Sequence, residues 1–221
     1  MLICGIDEAG RGPVIGPMVM AGVVIDEADH QKLYDLGARD SKVLSPAQRE
    51  RLFAIITKTA LRYKIVVLDP KDIDAVVGGK GMNLNWFEGN HAAEIINELA
   101  PGKVYMDCPS PNLDAFTTYI QQRLKWPQQV ALVCAHHADR DHPVVSAASI
   151  LAKVTRDEHI EALKKKIGVD FGSGYPADPV TVDFLKNNWN KYPEIFRHSW
   201  SSYQRYAGIG NKKSQKGLGE F

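Results

Sequence analysis

Leu2-Ile3-Cys4-Gly5-Ile6-Asp7-Glu8-Ala9-Gly10-Arg11-Gly12-Pro13 reads as a short apolar strand over 2–6 that delivers two adjacent carboxylates into a glycine-rich turn. Successive strand side chains point to opposite faces, so Asp7 and Glu8 converge on one site only if the strand ends there and turns. Gly10 and Gly12 permit the turn and let backbone N–H groups approach a ligand closely. Arg11 between them adds a fixed cation suited to phosphate. Two neighbouring acids at a strand end suggest a metal site, while an ordinary turn with solvated charges is the alternative that the local pattern leaves open.

Met18 to Ile25 reads as a second strand returning like a hairpin. Ser45-Pro46 supplies an N-cap and a first-turn proline for a helix whose Leu52, Ile55 and Ile56 recur at helical spacing. Arg62 to Leu68 closes an antiparallel unit of three strands. The rhythm then changes to a helix over Asn83–Leu99, a strand over Lys103–Asp107, a helix near 112–124, a strand near 129–134 and a long helix near 144–167. Strands separated by helices imply parallel additions, so the expected fold class is α/β with a mixed five-stranded sheet flanked by helices. Helices near 179–190 and 193–206 read as a C-terminal helical extension, and 207–221 has the glycine and lysine content of a mobile tail. One domain over 1–206 is expected, with a core of about 1–170 and the extension over about 171–206.

With 221 residues and 44% hydrophobic content, the chain is long enough to bury a core without covalent staples. Cys4, Cys108 and Cys134 are isolated and odd in number, which argues for a reducing compartment. The apolar stretch Val14–Ile25 is broken by Gly16, Pro17 and Gly22 and is too short to span a bilayer. Asp7 and Glu8 stand where a secretory signal would be apolar, so a cytoplasmic protein without membrane attachment is expected. Net charge is +1, but residues 191–221 carry six basic against two acidic side chains, leaving −3 for the remainder. An acidic metal site rimmed by basic residues in an enzyme acting on nucleic acid gives this division; so does a solvated basic tail.

Two further acids occupy places like that of Asp7. Asp107 ends the strand Val104-Tyr105-Met106, and Asp139 follows the strand Val130 to Val133. Ligand sites in open α/β sheets gather at such strand ends. Four carboxylates brought together repel, so a bound divalent metal explains them best, and oxygen ligands favour Mg²⁺ or Mn²⁺. His136, His137, Asp139, Asp141 and His142 also crowd together, and a mixed zinc site is the weaker alternative, because adjacent histidines on an extended segment point apart.

The segments Gly5 to Pro13, Asp40 to Ser45, Tyr105-Met106-Asp107, His137-Ala138-Asp139, Val145 to Val154 and Gly172 to Pro179, in that order, resemble the motifs of type 2 ribonuclease H, specifically ribonuclease HII, over about residues 3–200. The related ribonuclease HIII carries an extra N-terminal module, for which the immediate start of the first strand leaves no room. The resemblance implies an RNase H-like fold and endonucleolytic cleavage of the RNA strand in RNA–DNA hybrids and at single ribonucleotides in duplex DNA, leaving 5′-phosphate and 3′-hydroxyl ends. It casts Asp7, Glu8, Asp107 and Asp139 as the acids that hold two catalytic Mg²⁺ or Mn²⁺ ions. Gly10, Arg11 and Gly12 then read the 2′-hydroxyl, the group that separates RNA from DNA. Tyr175 contacts the same hydroxyl and stacks on the following deoxynucleotide sugar; flanked by Gly174 and Pro176, it reads without the family as a turn aromatic.

Ser41, Lys42, Ser149 and Lys153 are candidates for backbone phosphate contacts. Gln215, Leu218 and Phe221 fit Q-x-x-L-x-x-F, which resembles peptides that dock on sliding clamps, with one terminal aromatic where two are usual. A monomer is expected. Competing classes are a junction resolvase, which needs the acids but not a ribose reader, and a hybrid-binding module without catalysis.

Overall fold

The computed structural model describes residues 1–38, 44–77 and 82–209. Its sheet contains β1 (Leu2–Ala9), β2 (Met18–Asp26), β3 (Arg62–Leu68), β4 (Lys103–Asp107) and β5 (Ala131–Ala135), in the order β3-β2-β1-β4-β5. β1, β2 and β3 are antiparallel neighbours, whereas β4 and β5 add in parallel, so the mixed five-stranded sheet expected from the sequence is the one observed. The helices are α1 (His30–Asp35), α2 (Pro46–Thr59), α3 (Pro70–Val77), α4 (Leu84–Leu99), α5 (Leu113–Gln121), α6 (Ala138–Asp141), α7 (Pro143–Ile167), α8 (Pro179–Asn188) and α9 (Ser201–Ala207). α2 begins in the anticipated capping box, Ser45 accepting from Gln48 N while the Gln48 side chain accepts from Ser45 N. Among the described residues no helix is long and apolar enough to cross a membrane.

Alternation along β1 divides the core. Ile3 and Ala9 face α7, with Val144, Val145, Ala148 and Leu151, while Cys4 and Ile6 face α4 and α5, with Ile95, Ile96, Phe116 and Ile120. Gly5 decides how closely α7 approaches, because a Cβ there would lie 2.2 Å from the Val144 carbonyl carbon and oxygen. With the start of α7 seated on Gly5, one helical turn from Val145 to Ser149 and two strand residues from Gly5 to Asp7 each advance roughly 6 Å. Ser149 therefore arrives at Asp7, and the pair hydrogen-bonds.

Two expectations are corrected. β1 continues through both acids to Ala9, because β2 keeps pairing with it as far as Ala9↔Val19. The strand does not turn at Asp7; instead its pairing with β4 stops at Ile6↔Met106, which opens that edge beside the two acids. Residues 193–206 are not one helix either. A 3₁₀ turn at Pro193–Ile195 gives way to extended backbone at Phe196, which bridges to Ile15, before α9 begins. Pairing with the 14–16 segment, through Gly16 N to Ile195 O and Arg197 N to Val14 O, overrides the helical periodicity there. Phe171, Phe184, Phe196 and Tyr203 bury this extension against Val14, Ile15 and Ile160.

Candidate active site

Asp7, Glu8, Asp107 and Asp139 line one cavity of about 410 Å³, together with Gly10, Arg11, Gly12, Arg49, Lys153, Arg156, Asp157 and Tyr175. Asp7 is buried, accepts from Glu8 N (2.8 Å) and is pushed well above the usual carboxylate range by burial and by the charges of Glu8 and Asp107. Glu8 leaves β1 on the opposite face, where burial and the neighbouring Glu88 carboxylate raise it to about 8. At the end of β4, Asp107 accepts from Ala138 N (3.0 Å), tying that strand to the first turn of α6 that carries buried Asp139.

Among the described residues no three His, Cys, Asp or Glu side chains are already set to hold a metal ion. The donor set nevertheless fits a hard divalent cation. It is all oxygen, Glu8 Oε2 is buried without a hydrogen-bond partner, and a bound cation offsets the burial and the neighbouring carboxylate charges that raise Asp7 and Glu8. His136, from the alternative zinc reading, turns its Nδ1 to the Cys108 carbonyl (3.2 Å).

The Gly10–Gly12 turn is clamped by the C-terminal extension. The fully buried Arg197 donates from Nη2 to Gly10 O (2.6 Å), from Nη1 to Arg11 O (2.8 Å) and from Nε to Gly16 O (3.1 Å). Trp200 donates from Nε1 to Gly12 O (3.1 Å) and lies under the Arg197 guanidinium. In a planar trans peptide the N–H points opposite to the preceding C=O. Anchoring these carbonyls therefore turns the Arg11 and Gly12 amides away from Arg197.

Several side chains sit differently from expectation. Arg11 is not a free phosphate ligand: its guanidinium donates to Glu88 Oε2 (2.8 Å) and Asn85 Oδ1 (2.5 Å) on α4. Ser149 is fully buried beneath Asp7 and accepts from Lys153 Nζ (2.9 Å), so it orients those two side chains and cannot touch phosphate. Lys153 and the 41% exposed Tyr175 face the cavity. Ser41, Lys42, Gln215, Leu218 and Phe221 lie outside the described residues.

Sequence reasoning missed Glu88, Arg49 and Arg156. Glu88 is fully buried, held near 7 by burial against the opposing pull of Arg11. Helical spacing could have found it, because Glu88, Ala92, Ile96 and Leu99 form one buried row, as do Ala148, Ala152, Arg156 and Ile160 on α7. A charge on an apolar row was the signal. Arg49 has no such mark; it reaches the cavity from α2 through Asp157 (3.2 Å) and the Leu44 carbonyl (2.8 Å).

The fold matches ribonuclease H2 from Pyrococcus horikoshii with a TM-score of 0.85 at 39% identity, covering 94% of this chain and 98% of that one. It matches the solved PCNA:RNase HII complex from Archaeoglobus fulgidus with a TM-score of 0.81 at 37% identity, covering 100% of both chains. Sheet order and these two matches place the chain in the RNase H-like class of metal-dependent nucleases. The ribonuclease HII of Pyrococcus furiosus is 44% identical over 227 residues, 100% of this chain and 98% of the relative, and the Ribonuclease HII family profile matches residues 4–203. The chain belongs to the ribonuclease HII family, endonucleases that cleave the RNA strand of RNA–DNA hybrids.

Proposed function

We propose that this chain incises duplex DNA on the 5′ side of a single embedded ribonucleotide, as well as longer hybrids, and leaves 5′-phosphate and 3′-hydroxyl ends. The observation that carries the reading is the meeting of four acids, the Gly10–Gly12 turn and Tyr175 in one cavity. Asp7, Glu8, Asp107 and Asp139 would hold Mg²⁺ or Mn²⁺. Bound there, such ions would supply activation of the attacking water and charge stabilisation for the leaving 3′ oxygen.

The chain's own residues do the rest. Ser149 holds the Asp7 carboxylate in place, and the Ala138 amide holds that of Asp107. The Arg11 and Gly12 amides offer donors to a ribose 2′-hydroxyl. Tyr175 lies beside the turn, 3.7 Å from where a Gly12 Cβ would stand, and is placed to pack on the next sugar. Lys153 and Arg49 at the rim supply charge for backbone phosphates. Calorimetric titration with Mn²⁺ tests the acid assignment: wild type should bind, and Asp7→Asn and Asp139→Asn should each weaken binding at least tenfold. Unchanged binding by both variants rejects it.

We also propose that Gln215, Leu218 and Phe221 dock on a sliding clamp, supported by the Q-x-x-L-x-x-F pattern and by the relative solved with PCNA. Binding of the full chain to a clamp should be lost in Phe221→Ala; retention rejects the motif.

A further inference from the structure

Arg156 projects from α7 into the body of the protein and is only 5% exposed. Two glycines with positive φ make room for it. At Gly10 (φ +80°) a Cβ would fall 2.3 Å from Arg156 Cδ and Nε, and at Gly174 (φ +83°) 3.3 Å from its Nη2. Only glycine adopts those conformations readily, so both turns leave space where this side chain runs. Beyond Gly174, Nη2 donates to the Ser173 carbonyl (3.2 Å), and the guanidinium lies 5.2 Å from the centre of the Tyr175 ring. Nε is buried without a hydrogen-bond partner. The stem is therefore held by the shape of the two turns.

We propose that Arg156 is a positioning residue that fixes the Gly10–Gly12 turn and Tyr175 at one mutual spacing, and so sets the preference for an RNA-to-DNA junction. This rests on the ribose-reading role given above to that turn and Tyr175. The backbone already links the two loops, Val14 N and Ile15 N both donating to Gly174 O (2.8 and 3.3 Å). That link sets the distance between loops, but the direction of the Tyr175 ring is left to what touches it. Arg156 reaches the ring on one side while packing on Gly10 on the other. It joins residues 165 positions apart.

The test measures kcat/KM for a duplex with one ribonucleotide, divided by kcat/KM for a uniform hybrid, in wild type, Arg156→Met, Tyr175→Ala and the double variant. Arg156→Met keeps a stem in the gap but loses the planar cation, and should lower the ratio about tenfold, the size of one hydrogen bond plus a cation–π contact. Because Arg156 acts through Tyr175, the double variant should be no worse in this ratio than Tyr175→Ala alone. Losses that multiply overturn the proposal, as does an unchanged ratio in Arg156→Met while Tyr175→Ala loses it. If Tyr175→Ala itself keeps the ratio, the ribose-reading role fails and the proposal with it. Should Arg156→Met not fold, Arg156→Gln, which also removes the cation, carries the same comparison.

Discussion

Replacing Arg197 by Met examines whether the C-terminal extension holds the reading turn. The substitution removes three donors from the carbonyls of Gly10, Arg11 and Gly16 and the plate over Trp200. Hydrogen bonds to a charged donor contribute about 1.5–3 kcal/mol each, and a buried acceptor left unpaired costs about 1–3 kcal/mol. Gly10 and Gly16 are buried, so their carbonyls would be stranded, whereas Arg11 is partly exposed and water can reach its carbonyl. Against this, burial and the nearby Arg156 charge pull Arg197 down to about 9, so removing a desolvated cation offsets part of the loss. The net destabilisation is about 3 kcal/mol, or roughly 6–12 °C in Tm for a domain of this size. A thermal melt and a urea titration measure it. Cleavage at a single ribonucleotide should fall between about tenfold and a hundredfold, because displaced amides no longer meet the 2′-hydroxyl. A Tm within about 2 °C of wild type, with undiminished cleavage, would refute the clamp.

Asp7→Asn should abolish cleavage yet raise Tm in chelator, since it removes a buried charge facing Glu8 and Asp107; a lower Tm would count against that repulsion. Gly5→Ala should cost about 3 kcal/mol or more, because the new Cβ meets Val144 backbone at 2.2 Å and α7 must lift away; urea unfolding measures it, and a cost under about 1 kcal/mol contradicts the seating of α7. The metal-free protein should lose stability as pH rises from about 4.5 to about 8. Glu8 and Glu88 are raised to about 8 and about 7, so the folded state binds more protons than the unfolded chain across that window. Melts in chelator check this, and stability that climbs over the same range is the contrary result.

Most of the sheet was legible in the sequence because each strand carries its own local signal. Arg62–Leu68 and Lys103–Asp107 occupy the expected residues, and α2 starts where Ser45-Pro46 places it. The break at Phe196 was not legible, since it depends on a partner at Ile15 far away in sequence. The four acids could be read as a group because Asp7 and Glu8 fall in the last three residues of β1, Asp107 closes β4 and Asp139 follows β5. Their surroundings could not. That Arg11 turns inward depends on Glu88 arriving from α4, and that Ser149 lies beneath Asp7 depends on the approach that Gly5 allows. Both are tertiary facts without local pattern, although Glu88 and Arg156 each stand as a lone charge on an apolar helical row.

Cleavage of a labelled DNA duplex containing one ribonucleotide, beside an all-DNA duplex and with Mg²⁺, Mn²⁺ or chelator, tests the central claim most directly. Metal-dependent incision on the 5′ side of the ribonucleotide is expected, with none in the all-DNA duplex. Incision of both duplexes, or of neither, would contradict it.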